Sequence, residues 1–198
     1  MTGSLSAEIA ANAARLIVED GLEYGPAKRR AARDLGATGR SVTLPGNEEV
    51  EDEVRAYISV FHAETQPREL AALRELAATW MERLAAFRPL LTGAVWRGTA
   101  TRLSDVHIEL YCDDSKAAEL ALLDRRVDYE VSRGESARGR EVDVLNLFVP
   151  GPDPSRRVRI ALTVLDYDDL RGAMRNDTRG HPQRGDLAAL NALRAAAP

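Results

Sequence analysis

The apolar residues of this chain change their period near Leu90, and that change fixes the fold class. Before it, apolar side chains recur every three or four residues. After it, Val106, Ile108, Leu110 and Cys112 alternate with Asp105, His107, Glu109 and Tyr111. The first period builds helices with one apolar stripe, and the second builds strands with one apolar face. Helices gathered in one half and strands in the other define an α+β protein, not an alternating α/β one. We therefore expect a helical region over residues 1–88 and a sheet-bearing region with short C-terminal helices over 89–198.

The helical half divides into four segments. Ile9, Ala13, Leu16 and Ile17 form a stripe after Ser6, which has the chemistry of an N-cap, and Asp20-Gly21 offers a stop. A second helix follows Gly25-Pro26 and ends at Gly36, so the two form a helical hairpin. Its Lys28, Arg29, Arg30 and Arg33 suggest a DNA-reading helix, but with Glu19, Glu23 and Asp34 nearby the cluster reads better as a solvated face. A loop over 37–47 precedes two longer helices. One presents Val50, Val54, Tyr57, Ile58 and Phe61, and the other presents Leu70, Leu73, Ala77, Trp80, Leu84 and Phe87, bounded by Pro67 and Pro89. A dimer interface would use such stripes too, yet packing on the following sheet is their commoner use.

In the second half we expect a strand at 106–112, a helix over 115–124, and strands at 127–131, 141–149 and 158–164. A hairpin connection over 132–140 and a loop over 150–156 separate them. A helix around Asp168–Met174 and another capped by Asp186 close the chain.

Charge and composition narrow the function. A net charge of -4 over 198 residues argues against a general nucleic-acid binder, which usually carries a basic excess. The single cysteine, Cys112, allows neither an intrachain disulfide nor a multi-cysteine zinc site, as expected for a reducing cytoplasm. It falls on the apolar face of its strand. The N-terminal twenty residues do not read as a secretory signal, and no run of eighteen apolar residues occurs, so we expect a soluble bacterial-type protein with no membrane partner.

The stretch most suggestive of chemistry runs GAVWRGTATRLSDVHIE from Gly93 to Glu109. It contains Gly93-Ala94, then Trp96-Arg97-Gly98, then Ser104-Asp105-Val106-His107 at the head of the strand. At these offsets it resembles the signature of the nucleotidyltransferase superfamily, the group that includes polymerase beta. There a Gly-Ser turn and an Ala-Arg-Gly segment precede Ser-Asp-x-Asp. The resemblance covers about twenty residues closely, and the following strand order agrees loosely through Val164. It implies N-terminal helices packed on a nucleotidyltransferase-like mixed sheet.

It also implies roles. Asp105 and Asp143 would be two of the catalytic, metal-holding carboxylates, with Glu109 replacing the one lost at His107. Gly93, Ala94 and Arg97 would meet the phosphates of a nucleotide, and Mg2+ or Mn2+ would be the cofactor. Residues two apart in a strand share a face, which is how two carboxylates converge on one metal. Here two family groups are replaced. His107 brings a neutral nitrogen where a carboxylate belongs, and suits transition metals better than magnesium. Ala94 removes the hydroxyl expected at the phosphate turn, and Trp96 is large enough to fill the triphosphate space. A transition-metal site built from Asp105, His107, Glu109 and Asp143 is the chemical alternative.

The whole chain also resembles short bacterial proteins sometimes named UDP-N-acetylmuramate-alanine ligase. No glycine-rich loop ending in Gly-Lys-Thr or Gly-Lys-Ser is present to support an ATP-dependent ligase. We expect a divergent, catalytically impaired member that binds a nucleotide, another phosphorylated small molecule or a protein partner. An active metal-dependent nucleotidyltransferase and a ligand-free structural homodimer are the alternatives.

Overall fold

The computed structural model of the chain describes residues 2–37, 42–136, 138–151, 153 and 155–196, with side chains from Leu5 onward. The loop expected at 37–47 and the connections at 132–140 and 150–156 lie partly outside the described residues. The chain divides into two compact units, residues 1–67 and 68–198.

The first unit is helical: α1 (Thr2–Asp20), α2 (Tyr24–Asp34) and α3 (Asn47–Phe61). α1 packs against both others, joining Ile9, Ala13 and Leu16 to Ala27 and Ala31 of α2 and to Val50, Val54 and Ile58 of α3. α1 begins about one turn before the expected cap, so Ser6 lies inside the helix. Position alone cannot separate a capping serine from one within a helix. α2 ends as expected. Gly36 takes φ +70°, and the Gly36 and Ala37 amides donate to the Arg33 and Ala32 carbonyls, satisfying two groups the helix leaves open. The basic cluster is partly tied down within this unit. Lys28 donates to the Pro45 carbonyl at 3.1 Å and to Asn47 at 2.8 Å, and Arg30 pairs with Asp20 at 3.0 Å. Phe61, expected on the α3 stripe, is 65% exposed.

The second unit holds α4 (Gln66–Arg83) from its third residue, β1 (Leu90–Thr92), α5 (Gly93–Arg97), β2 (Val106–Cys112), α6 (Ser115–Asp124), β3 (Glu130–Glu135), β4 (Glu141–Pro150), β5 (Arg157–Asp166), β6 (Arg184–Gly185) and α7 (Leu187–Ala195). The strands form one mixed sheet in the order β3-β4-β5-β2-β1-β6. β2 and β5 run parallel in the centre, and every other pairing is antiparallel. The protein is thus α+β.

One face of the sheet carries the main core. Ile108 and Leu110 of β2, Leu145 and Leu147 of β4 and Ile160 and Leu162 of β5 are fully buried there with Leu73 and Ala77 of α4, Leu84 just after it, Leu122 of α6 and Leu190 of α7. Each such aliphatic side chain contributes about 1.5–3 kcal/mol by leaving water. The α4 stripe therefore serves the core. The opposite face has a smaller apolar cluster, Leu90, Tyr111, Leu165 and Ala173 with Val142 and Leu170 packed against it, and mixes polar with apolar side chains elsewhere. Among the described residues no helix is long and apolar enough to cross a membrane.

Two expected elements move. The strand read at 127–131 is found at Glu130–Glu135, because Val127 closes α6 instead. Arg126 takes φ +55°, and the Arg126 and Val127 amides donate to the Leu123 and Leu122 carbonyls, while the Val127 side chain packs on the core. The helix read around Asp168–Met174 shortens to a 3-10 turn, Tyr167–Leu170, capped by Asp166. Gly172 at φ +87° is left-handed and ends it. Two short strands, β1 and β6, had no expectation. Three and two residues are too few to display a period.

Candidate functional site

The turn between β1 and α5 holds the first candidate residues. Thr92 is extended, Gly93 takes φ +74°, and a single turn of helix follows before Gly98 closes it at φ +84°. A Cβ on Gly93 would sit 3.3 Å from Cδ2 of His107, so the imidazole lies directly over the turn. Register brings them together, since Thr92 pairs with His107 across β1 and β2. Arg74 of α4 braces this turn from behind, donating from Nε to the Val95 carbonyl at 3.2 Å and from Nη2 to the Trp96 carbonyl at 3.4 Å. Burial lowers the Arg74 pKa from its ordinary value. Ala94 and Arg97 are half-buried within α5.

Trp96, read as large enough to fill a triphosphate space, packs into the core. Its ring is buried in the main core, and Nε1 donates to the Pro182 carbonyl at 2.7 Å. It abuts Gly185 of β6, where a Cβ would fall 2.1 Å from the indole.

Asp105 reaches the site on a loop held at several points. The Arg102 amide donates to Glu69 at 2.8 Å, and the Thr101 amide to the Ser104 hydroxyl at 3.0 Å. Arg156 donates to the Arg102 and Leu103 carbonyls at 2.7 and 2.9 Å. Ser104 therefore shapes the loop. The Asp105 carboxylate accepts from Nε of Arg159 at 2.8 Å, and Arg159 in turn donates from Nη1 to Asn146 at 3.1 Å. Asn146 is buried and donates to Ser132 at 2.8 Å and to the Glu130 and Val144 carbonyls. One polar network thus runs from β3 across β4 and β5 to the head of β2. One ligand atom of Asp105 and one of His107 come within 4.8 Å of each other.

Glu109 lies two residues past His107 on the same face and is engaged elsewhere. Arg184 of β6 meets it through Nε at 2.9 Å and Nη2 at 3.1 Å, and the Tyr111 hydroxyl donates to it at 2.6 Å. Burial, and then the Glu109 carboxylate, push the Tyr111 phenol well up from its ordinary value. Four residues of extended chain separate Asp105 from Glu109 by roughly 13 Å.

Asp143 is on the other side of the sheet. On β4 the residues Val144 and Asn146 share the polar face with Thr163 and Ala161, so Asp143 alternates to the helix-bearing face. Its partners agree with that placement: Arg133 at 2.6 Å, and Lys116 of α6 at 4.0 Å. Position 146, opposite His107 through Ala161, carries the amide Asn146 on the polar face.

The three carboxylates expected to converge therefore stand apart, and Asp105 and Glu109 are each paired with an arginine. Magnesium needs several oxygen ligands around one point. These residues do not fit that cluster. Neither Arg159 nor Arg184 carried a sequence signal for its role. Alternation puts Arg159 on the polar face of its strand, but its partner depends on strand order.

Beyond Glu109 the polar face opens into a cleft of about 470 Å3. Thr92, Glu109, Tyr111 and Thr163 form its floor, and Arg138, Arg171, Arg175 and Arg184 line it. Arg138 pairs with Asp169 at 3.1 Å, and Arg140 also pairs with Asp169.

Comparison with known proteins yields no matching family model and no matching curated protein. Among solved structures the chain is similar to the Cid1 poly(U) polymerase. With MgGTP bound, that protein is 15% identical over 51% of this chain and 32% of its own, at a TM-score of 0.33. In complex with the UTP analog UMPNPP it is 12% identical over 58% and 36%, at 0.33. A third structure, concerned with its RNA terminal uridylyl transferase activity, gives 12%, 58% and 36%, at 0.32. The chain matches about a third of the length of those polymerase chains.

Proposed function

We propose that this chain is a divergent nucleotidyltransferase-like protein that holds a nucleotide or other phosphorylated ligand on its polar sheet face without transferring it. The observation that carries this reading is the pairing of Asp105 with Arg159 at 2.8 Å and of Glu109 with Arg184 at 2.9 Å. A guanidinium beside each carboxylate supplies positive charge without the Lewis acidity or open coordination that phosphoryl transfer takes from a metal. The motif resemblance around Gly93 to His107 supports the family reading, and the arginine-lined cleft supports an anionic ligand.

The test combines binding with turnover. Purified protein is titrated with ATP, CTP, GTP and UTP, each with Mg2+, with Mn2+ and with EDTA, and the same mixtures are assayed for pyrophosphate release. Binding that is indifferent to EDTA, with no release, is the expected result. Metal-dependent release that disappears in Asp105→Ala overturns the reading and restores an active metal-dependent nucleotidyltransferase.

A further inference from the structure

The cleft beyond Glu109 is unevenly neutralised. Among the described residues Arg184 is committed to Glu109, and Arg138 to Asp169. Arg171 and Arg175 line the same cleft, are exposed, and have no carboxylate within ion-pair distance among the described residues. They flank one turn of the backbone. Gly172, between them, is left-handed at φ +87°, and a Cβ there would stand 3.1 Å from Nε of Arg175 and 3.3 Å from Nη2, so the glycine leaves room for the guanidinium to fold back over the turn. On the floor, Thr163 presents a hydroxyl with no hydrogen-bond partner in the protein among the described residues. None of Gly93, Ala94, Arg97, Asp105 or His107 lines this cleft.

We propose that Arg171 and Arg175 form a metal-free phosphate clamp that takes a phosphomonoester, with Thr163 and the cleft floor receiving the polar body of the ligand. This rests on the reading above that the chain holds a phosphorylated ligand, and relocates the phosphate from the Gly93–Arg97 turn to the far end of β2. Two guanidinium groups match the charge of a phosphate dianion and its several acceptor oxygens. The volume suits a nucleoside monophosphate or sugar phosphate, being within the usual range for small-ligand sites. A magnesium triphosphate fits less well. Of the carboxylates that line the cleft, Glu109 is already engaged by Arg184 and Tyr111, and Asp169 by Arg138 and Arg140, while Glu135 stands on the hairpin at its rim.

The test is a calorimetric titration with AMP, CMP, GMP, UMP and ribose 5-phosphate, in EDTA and again with Mg2+. At least one probe is expected to bind equally in both conditions and more weakly at higher salt. R171Q/R175Q should weaken it about tenfold or more, the loss of two charge-assisted contacts. Both positions are exposed, so the melting temperature of that variant should equal that of the wild type. Thr163→Val should weaken nucleotides and ribose 5-phosphate while leaving any inorganic phosphate binding unchanged. Binding that survives R171Q/R175Q but is lost in Arg97→Gln overturns the clamp while leaving phosphorylated-ligand binding intact. Failure of every probe and of all four triphosphates overturns both.

Discussion

Arg184 and Glu109, 75 residues apart in sequence, meet through two contacts, Nε to Oε2 at 2.9 Å and Nη2 to Oε1 at 3.1 Å. The pair ties the two-residue strand β6 to the middle of β2, one strand beyond its own neighbour β1. A residue expected to hold metal thus holds a sheet edge.

Arg184→Met should therefore destabilise the protein. Both side chains are mostly buried, 19% and 15% exposed, which places the pair between surface bridges worth about 0–1 kcal/mol and buried ones whose breakage costs about 3–5. We expect a loss of about 2–3 kcal/mol in urea unfolding. Adding Glu109→Gln should recover part of it, because the second change removes the stranded charge. A single variant as stable as wild type would show that the pair does not hold β6.

Tyr111 gives a pH dependence of known sign. Its folded pKa is raised by burial and by Glu109, so the folded state keeps a proton that the unfolded state releases near the ordinary phenol value, about 10. The stabilisation is complete below that value and declines as pH rises beyond it. Unfolding free energy measured from pH 8 to 11 should fall more steeply in wild type than in Tyr111→Phe. Equal slopes would mean that another group governs the alkaline loss.

What the sequence revealed depended on how local the cause was. Helix stripes, the Gly36 stop, the Asp186 cap and the alternation of β2 are set by neighbours within a few residues, and each is found, apart from Phe61 at the end of the α3 stripe. Asp143 shows the limit. The sequence gives its strand and its alternation, but which face of β4 meets the polar face of β2 depends on register across two strand pairings. Arg159, Arg184 and Asn146 are invisible for the same reason, since each acts through a partner at least 13 residues away. Val127 failed differently: its alternation with Tyr129 and Val131 was real, but a helix cap used it first.

Gly185 is required by Trp96. A Cβ at 185 would lie 2.1 to 2.8 Å from three ring carbons, and neither β6 nor a ring whose Nε1 is bonded to Pro182 has an easy way to retreat. Gly185→Ala should cost about 1–3 kcal/mol, the range for overpacking a core. Combining it with Trp96→Leu should cost less than the sum of the two single changes, since the smaller side chain removes the clash. Additive losses in a double-mutant cycle would place the strain elsewhere.

Arg159 is the group we expect to keep divalent ions away from Asp105. The Asp105 and His107 ligand atoms are already within 4.8 Å, close enough to share one ion, but the carboxylate accepts from Arg159 at 2.8 Å and so carries a cation in the metal's place. One oxygen and one imidazole nitrogen suit Mn2+ or Zn2+ better than Mg2+. Arg159→Leu removes the competing charge and also frees the Asn146 acceptor, so some stability should be lost, about 1–2 kcal/mol. The informative readout is free Mn2+ by electron paramagnetic resonance. Wild type should leave the Mn2+ signal undiminished, Arg159→Leu should deplete it, and adding Asp105→Asn should restore it. Equal depletion by wild type and Arg159→Leu would mean that the arginine does not guard the site, and that the carboxylate is available to a metal in the native protein.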